Sequence, residues 1–599
     1  MNKKEHSRML EVLFSYPPIA SRLNERPGDK RQIVKNANEI MADLSLKTLD
    51  NFSKILDAAM DRFYENLNLE IPPDLDFEKI VTEKNVVIVP NHQSHADYVA
   101  LNYMVYKRFK FPLYVAGGNN LNIIPIGSLF RRSGCFFIRR TFQNDILYKL
   151  TLEAYLYFLL REGRPIEFFF EGGRSRSGKL LSPKLGLYQM LLTAHQAISP
   201  QERKELLFWP ASIVHEFVPE QRAMTRELEG AAKKKESFAQ LLKIVKLFSV
   251  QLGSIHIRLG RPIVGEIAAD DVKSSTWNLA YRCFREVGRN LLVTPTSLLA
   301  LIMLDDPVGA IKWDEILLKA RKILNFCEKF NVPVAGTLTG SALEVNLEKA
   351  LDLFIANEKI NILGKSSFGR VFYAIKEECR QEILYIKNTI VHHFLVPWII
   401  NLGWAKIFNG EISSGVELRE FFKRERASLE YEFYLPSNPE ILEVTLKFIS
   451  GIIGRDLKAL DETLSLSRKE YAEIARNLGV FARGVSYIYE GYYLSARAIK
   501  SLLFESTAGL EPTDSFSYEQ FEKEFNYIFE EELRSGEVIK YAESCSRPLI
   551  KNSFKYFTHE KIIDNSDGSY RLLDRDGLEQ IISRYAQNLK DQLSINIKI

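Results

Sequence analysis

The chain has 599 residues, too many for one compact domain and enough for roughly two to four at about 150 residues each. Hydrophobic residues make up 46% and charged residues 26%, an ordinary globular composition that excludes a disordered, collagen-like or disulfide-stapled protein. The 80 Lys and Arg against 76 Asp and Glu leave a net charge of only +4, so nucleic-acid binding would need local clustering of charge.

In chain order, residues 1–14 are basic but lack the continuous apolar stretch of a secretory signal, which predicts no export. Between residues 30 and 69 the apolar residues Ile33, Ile40, Met41, Leu44, Leu49, Phe52, Ile55, Leu56, Met60 and Phe63 recur at helical intervals, until Ile71, Pro72 and Pro73 end the pattern. This predicts a short helical N-terminal segment over 1–76. Short apolar runs at 86–90, 114–118, 135–140, 165–172, 206–215 and 254–260 then alternate with helical patterns. One such pattern, 144–161, carries Leu147, Leu150, Ala154, Tyr157 and Phe158 on one face, and Gly163 stops it. The alternation predicts an α/β domain over 77–267, a sheet flanked by helices. From about residue 270 helical patterns dominate, interrupted at Pro436, Pro439 and Pro512, by hairpin-like residues 362–373 and by the Asp567-Gly568 turn. A large, mostly α-helical C-terminal domain over 268–599 is expected.

The longest uncharged stretches, 290–304 and 388–405, do not form runs of about 20 apolar residues, and the second holds His392, His393, Pro397, Asn401 and Gly403. Burial in a core and contact with a bilayer surface are both open for them. The cysteines Cys135, Cys283, Cys327, Cys379 and Cys545 are scattered and without CxxC spacing, which predicts neither a disulfide framework nor a thiolate metal site and fits a reducing cytoplasm. The basic run Lys233 to Lys235 reads as a solvated helix start.

Four segments carry chemistry. Asn91-His92-Gln93-Ser94-His95-Ala96-Asp97 follows an apolar strand directly. On one continuous helix His92 and Asp97 would lie about 140° apart. His92 therefore belongs in the turn, where an Asp97 carboxylate in the first helical turn can fix its tautomer and stabilise its protonated form. Two other readings stand beside this dyad: a metal held by His92, His95 and Asp97, although the spacing lacks the HxHxDH form, and two histidines that merely cap a helix. The second segment runs from Gly117-Gly118-Asn119-Asn120 to a strand-like CFFI that ends in Arg139 and Arg140, guanidinium groups suited to a phosphate. The third, Phe168 to Lys179, opens an aromatic strand into Glu171-Gly172-Gly173-Arg174-Ser175-Arg176-Ser177-Gly178-Lys179, where glycines let backbone N–H groups approach an anion. Its GxxxxGK pattern is not a nucleotide loop, because Leu180 stands where a Mg²⁺-binding Ser or Thr is needed and Pro183 interrupts the following helix. The fourth, 207–216, is an apolar strand ending in His215 and Glu216.

In this order HQSHAD, GGNNLNIIPIGSLFRRSGCFFIRR, FFFEGGRSRSGK and FWPASIVHE resemble the four blocks of the HX4D glycerolipid acyltransferases. Among these the chain is similar to the glycerol-3-phosphate acyltransferases of the large bacterial type, with the dihydroxyacetone-phosphate acyltransferases as relatives. The third block reads Glu-Gly-Gly-Arg-Ser-Arg, unlike the Pro-Glu-Gly-Thr of lysophosphatidate acyltransferases, and Tyr385-Ile386-Lys387-Asn388 resembles a further segment of the long enzymes. The stretch before the first block is shorter than in the large bacterial type.

The resemblance implies an α/β acyltransferase domain, mixed sheet flanked by helices, that transfers a fatty acyl group from acyl-CoA or acyl carrier protein to the sn-1 hydroxyl of glycerol 3-phosphate. His92 would be the general base and Asp97 its support. Glu171, Gly172 and Gly173 would line the site, and Arg139, Arg174, Arg176 and Lys179 would meet the substrate phosphate. Neither a metal nor a cofactor beyond the co-substrate is expected, and no nucleic acid. The partners would be the two substrates and a membrane lipid surface, with the protein peripheral on the cytoplasmic side of the cell membrane. Dihydroxyacetone phosphate as acceptor, a nucleic-acid-binding helical protein and a lipid scaffold without activity are the competing functional readings.

Overall fold

The computed structural model describes residues 3–123, 126–141, 144–228, 252–268, 271–306, 309–364, 371–433, 435–505, 513–536, 541–566 and 568–598. The chain divides into two compact units. One comprises Met1–Ser175, Leu180–Glu220 and Lys234–Leu292; the other comprises Arg176–Lys179, Gln221–Lys233 and Val293–Ile599.

The first unit opens with helices α1 (Lys3–Ser15), α2 (Pro17–Glu25), α3 (Lys30–Ile40) and α4 (Leu46–Phe63). Ser45 caps α4 by accepting the Thr48 N–H, so the periodic stretch 30–63 forms two helices and not one. Strand β1 (Asn66–Glu70) follows, and then α5 (Phe77–Glu83), β2 (Asn85–Pro90), α6 (Ala96–Phe109), β3 (Tyr114–Gly118), α7 (Ile126–Arg132), β4 (Cys135–Ile138) and α8 (Ile146–Arg161). The unit continues with β5 (Ile166–Glu167), α9 (Leu185–Gln196), β6 (Leu206–His215), β7 (Ser254–Leu259), β8 (Ile263–Val264) and the helix Val272–Asn290.

The strands build one mixed sheet of order β1-β7-β6-β2-β5-β3-β4, with β8 also on β6. Pairings are parallel except those of β6 with β7 and with β8. Every residue of β2 and β6 is buried, as continuous apolar strands covered on both faces must be. Each of Val86, Val87, Ile88 and Val89 contributes about 1.5–3 kcal/mol by leaving water. Pro210 is tolerated in so central a strand because β6 changes neighbours there: Leu207 and Phe208 pair with β8, and Ala211 to His215 with β7.

The expected boundaries at 76 and 267 do not coincide with these units. The N-terminal segment clusters with the α/β unit because β1 enters the sheet beside β7 and because α1 and α3 pack on the buried helix α8. The helix Val272–Asn290 also stays with the sheet, packing on α9 and β6, where the Ser212 hydroxyl donates to the Val287 carbonyl. Of the apolar run 165–172 only two residues are strand, since the chain turns at Phe169 and Gly172.

The second unit is mostly helical, as expected, with two three-stranded antiparallel sheets: Ala310–Lys312, Phe372–Ile375 and Ile360–Leu363, and Ser515–Ser517, Ser569–Leu572 and Ile563–Ser566. The expected hairpin over 362–373 is present as the pair Ile362 and Tyr373, while its residues 365–370 lie outside the described residues. Pro512, the basic run Lys233 to Lys235, Asp567, and Ile124 and Pro125 of the second block also lie outside them. Pro439 sits in the first turn of Asn438–Ile453, where its missing N–H costs nothing.

Both long uncharged stretches are core helices. All of Pro295–Asp305 is buried, as is most of Leu395–Phe408. Among the described residues no single helix is long and apolar enough to cross a membrane; the pair Glu377–Asn388 and Val391–Phe408 reaches that length together but bends by 73°.

Candidate active site

Asn91 fixes the first block to the sheet. Its side-chain amide donates to the Ile213 carbonyl at 3.0 Å and accepts the Ile213 N–H at 2.7 Å, replacing a rung of the ladder between β2 and β6. The chain then turns, and α6 begins at Ala96, so His92 lies in the turn and Asp97 in the first helical turn, as their spacing required. Asp97 is fully buried. Its Oδ2 accepts from His92 Nδ1 at 2.9 Å, from Gln93 N at 2.6 Å and from Ser94 N at 2.8 Å, and its Oδ1 accepts from His215 Nε2 at 2.6 Å. Burial alone would raise the Asp97 carboxyl, but the hydrogen bonds and charges of His215 and His92 outweigh it and hold the group well below the usual carboxylate range. An ionised Asp97 draws hydrogen onto His92 Nδ1, which leaves Nε2 as a lone pair. The imidazole lies against the Phe169 ring with centroids 4.1 Å apart and keeps 13% of its side chain exposed.

The third block closes over this turn. Glu171 Oε1 accepts the His92 N–H at 3.0 Å, and the His92 carbonyl accepts the Ser175 N–H at 2.8 Å. Burial pushes the Glu171 carboxyl well above its ordinary value against the pull of two backbone N–H groups, of His92 and Leu181. Two carboxyls thus brace one histidine, one held ionised and the other held towards its protonated form. Gly172 turns the chain at φ +68°, where a Cβ would press on the Lys184 side chain at 2.9 Å, and its own N–H donates to the Phe169 carbonyl at 3.1 Å. At Gly173 the space around a Cβ is open. Glu220, just beyond β6, ties the two blocks: it accepts the Ser94 hydroxyl at 2.8 Å and the His95 N–H at 3.1 Å, and lies 3.7 Å from an Arg174 guanidinium nitrogen.

The structure thus brings His92, Asp97, Glu171, Gly172, Gly173 and Arg174 together, whereas Arg139, Arg176 and Lys179, expected at the substrate phosphate, are each engaged by carboxylates of the chain. Arg139 follows β4 at the sheet edge, three strand spacings and roughly 14 Å from β2. Its guanidinium binds Glu39 at 2.6 and 2.8 Å and Asp145 at 2.9 Å, over the Tyr148 ring. Arg176 pairs with Glu227 at 2.6 Å within the helical unit. Lys179, also in that unit, is buried on Glu432 between the Phe433 and Tyr487 rings. For Lys179 the physical reason is burial, since a cation withdrawn from water needs a carboxylate of the chain against it; Arg139 and Arg176 stay partly exposed in their pairs. Gly178, at φ +79°, lies so close to the Tyr385 carbonyl that a Cβ would collide with it.

His215 and Glu220 are the residues that the sequence did not single out. The available signal was a polar end to a wholly apolar strand, but its neighbour in the sheet is not written in the sequence. Among the described residues no three His, Cys, Asp or Glu side chains are grouped as a metal site. His95, the third candidate ligand, instead faces the Tyr98 hydroxyl at 3.4 Å.

Residues 224–566 match the family model described as the glycerol-3-phosphate acyltransferase C-terminal region, and residues 74–204 match one described as acyltransferase. A glycerol-3-phosphate acyltransferase of Haemophilus ducreyi is 26% identical over 84% of this chain and 63% of its own length. One of Pseudomonas fluorescens is 30% identical over 62% of this chain and 45% of its own. The chain therefore spans between about half and two thirds of these curated relatives. The solved 1-acyl-sn-glycerophosphate (LPA) acyltransferase of Thermotoga maritima aligns over 48% of this chain and 98% of its own at 15% identity, with a TM-score of 0.25. With one family model matched over more than half of its length, the chain belongs to the family of the glycerol-3-phosphate acyltransferase C-terminal region.

Proposed function

We propose that the protein transfers a fatty acyl group from a thioester, acyl-CoA or acyl carrier protein, to the sn-1 hydroxyl of glycerol 3-phosphate, forming lysophosphatidic acid. The observation that carries this reading is the buried Asp97 carboxylate that orients His92 from Nδ1 and leaves Nε2 as the base beside an open glycine turn. The acyltransferase names of the relatives support it.

In this scheme His92 Nε2 takes the acceptor's hydroxyl proton as the oxygen attacks the thioester carbonyl. The tetrahedral oxyanion collapses with cleavage of the C–S bond, and the proton passes from His92 to the departing thiolate. Asp97 stabilises the transient imidazolium. The Gly173 N–H is the proposed oxyanion donor, since that of Gly172 is already engaged by Phe169. Arg174 is the proposed phosphate ligand, releasing Glu220 as it turns to the substrate. Thioester exchange needs no cofactor beyond the co-substrate, and the amphipathic product favours a protein peripheral to the cytoplasmic face of the membrane. Nucleic-acid binding is disfavoured because Arg139, Arg176 and Lys179 are each paired with carboxylates.

The test is transfer from palmitoyl-CoA to radiolabelled glycerol 3-phosphate, with dihydroxyacetone phosphate as competing acceptor. His92→Ala is expected to lower kcat by at least about 10³-fold with an unchanged thermal transition. Full activity in a folded His92→Ala protein would remove the assignment, and preference for dihydroxyacetone phosphate would change the acceptor.

A further inference from the structure

We infer that His215 is a positioning residue on the carboxylate that supports the base: its Nε2–H holds Asp97 in place and tempers the grip of Asp97 on His92. This rests on the reading of His92 as the base and deepens it.

His215 is the last residue of β6, and its side chain is wholly buried. Because β6 lies parallel to β2 and is pinned to it by the Asn91 amide, the ring is delivered to the side of Asp97 opposite His92. Asp97 receives donors from four directions: two imidazoles and two backbone amides. Among the described residues no Lys or Arg forms an ion pair with it. An acceptor at Oδ1 places a proton on His215 Nε2 and leaves Nδ1 on the far side of the ring. That Nδ1 is buried without a hydrogen-bond partner among the described residues. A histidine kept only for packing would have both ring nitrogens satisfied or be replaced by an apolar side chain of similar size. Here one nitrogen is left bare while the other makes one of the shortest contacts in the site.

The titratable and charged groups around this corner come from every element packed on it. Tyr64, after α4, has its ring centroid 6.5 Å from that of His215. His92 and Asp97 belong to the first block, Glu167 and Glu171 to β5 and the turn after it, Glu216 and Glu220 to the chain after β6, and His256 and Arg258 to β7. Burial, with His215 and Arg258 close by, lowers His256 to about 4, so it brings no positive charge to the corner near neutral pH. Burial raises Glu167 and Glu171 well above the usual carboxyl range. Asp97 itself is held well below the usual carboxylate range, so the donor on Oδ1 acts on an ionised carboxylate. It draws electron density from Oδ2, so His92 releases its proton more readily, and it keeps the carboxylate from rotating when the imidazolium forms.

Removing that donor concentrates charge on Oδ2 and strengthens the hold on the His92 proton. The test uses the full chain labelled with 13C-histidine, in which the loss of one resonance in His92→Gln assigns His92 among the nine histidines. In His215→Leu the titration midpoint of His92 is expected to rise by about 0.5–1 pH unit. The acid limb of kcat/KM should move with it, and kcat at pH 7 should fall about 10- to 100-fold, with both KM values within about threefold. His215→Gln, whose side-chain amide reaches the same oxygen, should restore the midpoint and most of kcat. An unshifted His92 midpoint in folded His215→Leu overturns the inference, as does a His215→Gln protein equally impaired. Should His215→Leu not fold, His215→Gln is compared with the shorter His215→Asn, and equal midpoints overturn the inference. Should the wild-type protein transfer no acyl group, the proposed function fails, while the His92 midpoint still upholds or overturns the coupling.

Discussion

Buried carboxylates of the two units are held in different ways. In the helical unit three are matched by a full positive charge, Lys359 on Glu382 at 2.5 Å, Arg380 on Glu543 at 2.7 Å and Lys179 on Glu432, while Glu490 and Glu524 accept from serine hydroxyls. In the α/β unit Asp97 is as deeply buried and has only N–H donors, two from imidazoles and two from the backbone. A permanent cation against a carboxylate satisfies it once, for structure. Imidazole and backbone N–H donors hold Asp97 without a permanent cation, which suits its proposed role of supporting a His92 imidazolium. The difference sets Asp97, the proposed support of the base, apart from the ion-paired carboxylates that hold the helices together.

Asp97→Asn gives the largest expected effect. It keeps the shape, removes the charge and turns an N–H₂ group towards donors, so kcat should fall about 10³- to 10⁴-fold, measured in the same acyl-transfer assay. A loss under tenfold would mean that the carboxylate is only structural. Lys179→Met should do the reverse. Leaving Glu432 buried and unpaired is expected to cost about 3–5 kcal/mol in the denaturant unfolding of the helical unit, and Lys179→Met with Glu432→Leu should recover most of it. A double variant no more stable than the single one would contradict the ion-pair account. The smallest effects separate Arg174 from Arg139. Arg174→Ala should raise the acceptor KM about tenfold with a lesser change in kcat, whereas Arg139→Ala, whose ion pairs are partly exposed, should leave KM unchanged and cost about 0.2–1 kcal/mol. Equal KM values in the two variants would take Arg174 out of the phosphate site.

What was legible in the sequence was local. Strands β2 and β6 stood out because burial on both faces demands unbroken apolar runs, and the His92–Asp97 geometry followed from a spacing of five residues. Strand β1, Asn66–Glu70, was hidden because it is short, half-buried and polar at alternate positions, and so merged with the helical pattern before it. His215 meets Asp97 across 118 residues, and Arg139 meets Glu39 across 100, through strand order and helix packing that periodicity does not encode. The basic set was readable as charge. Whether a given cation faced a ligand or a carboxylate of its own chain was not, because that depends on distant elements.

The pairing of β1 with β7 has a consequence for the making of the protein. Asn66 finds its partner Ser254 188 residues later, so β1 leaves the ribosome long before the strand that covers it. At about 5–20 residues per second the wait is roughly 10–40 s. During that interval the nascent chain carries an open strand edge and an unfinished sheet. Its own helices α1 to α4, or a chaperone, must shield it until residues 254–259 emerge, so the speed of translation through the intervening residues bears directly on the yield of folded protein.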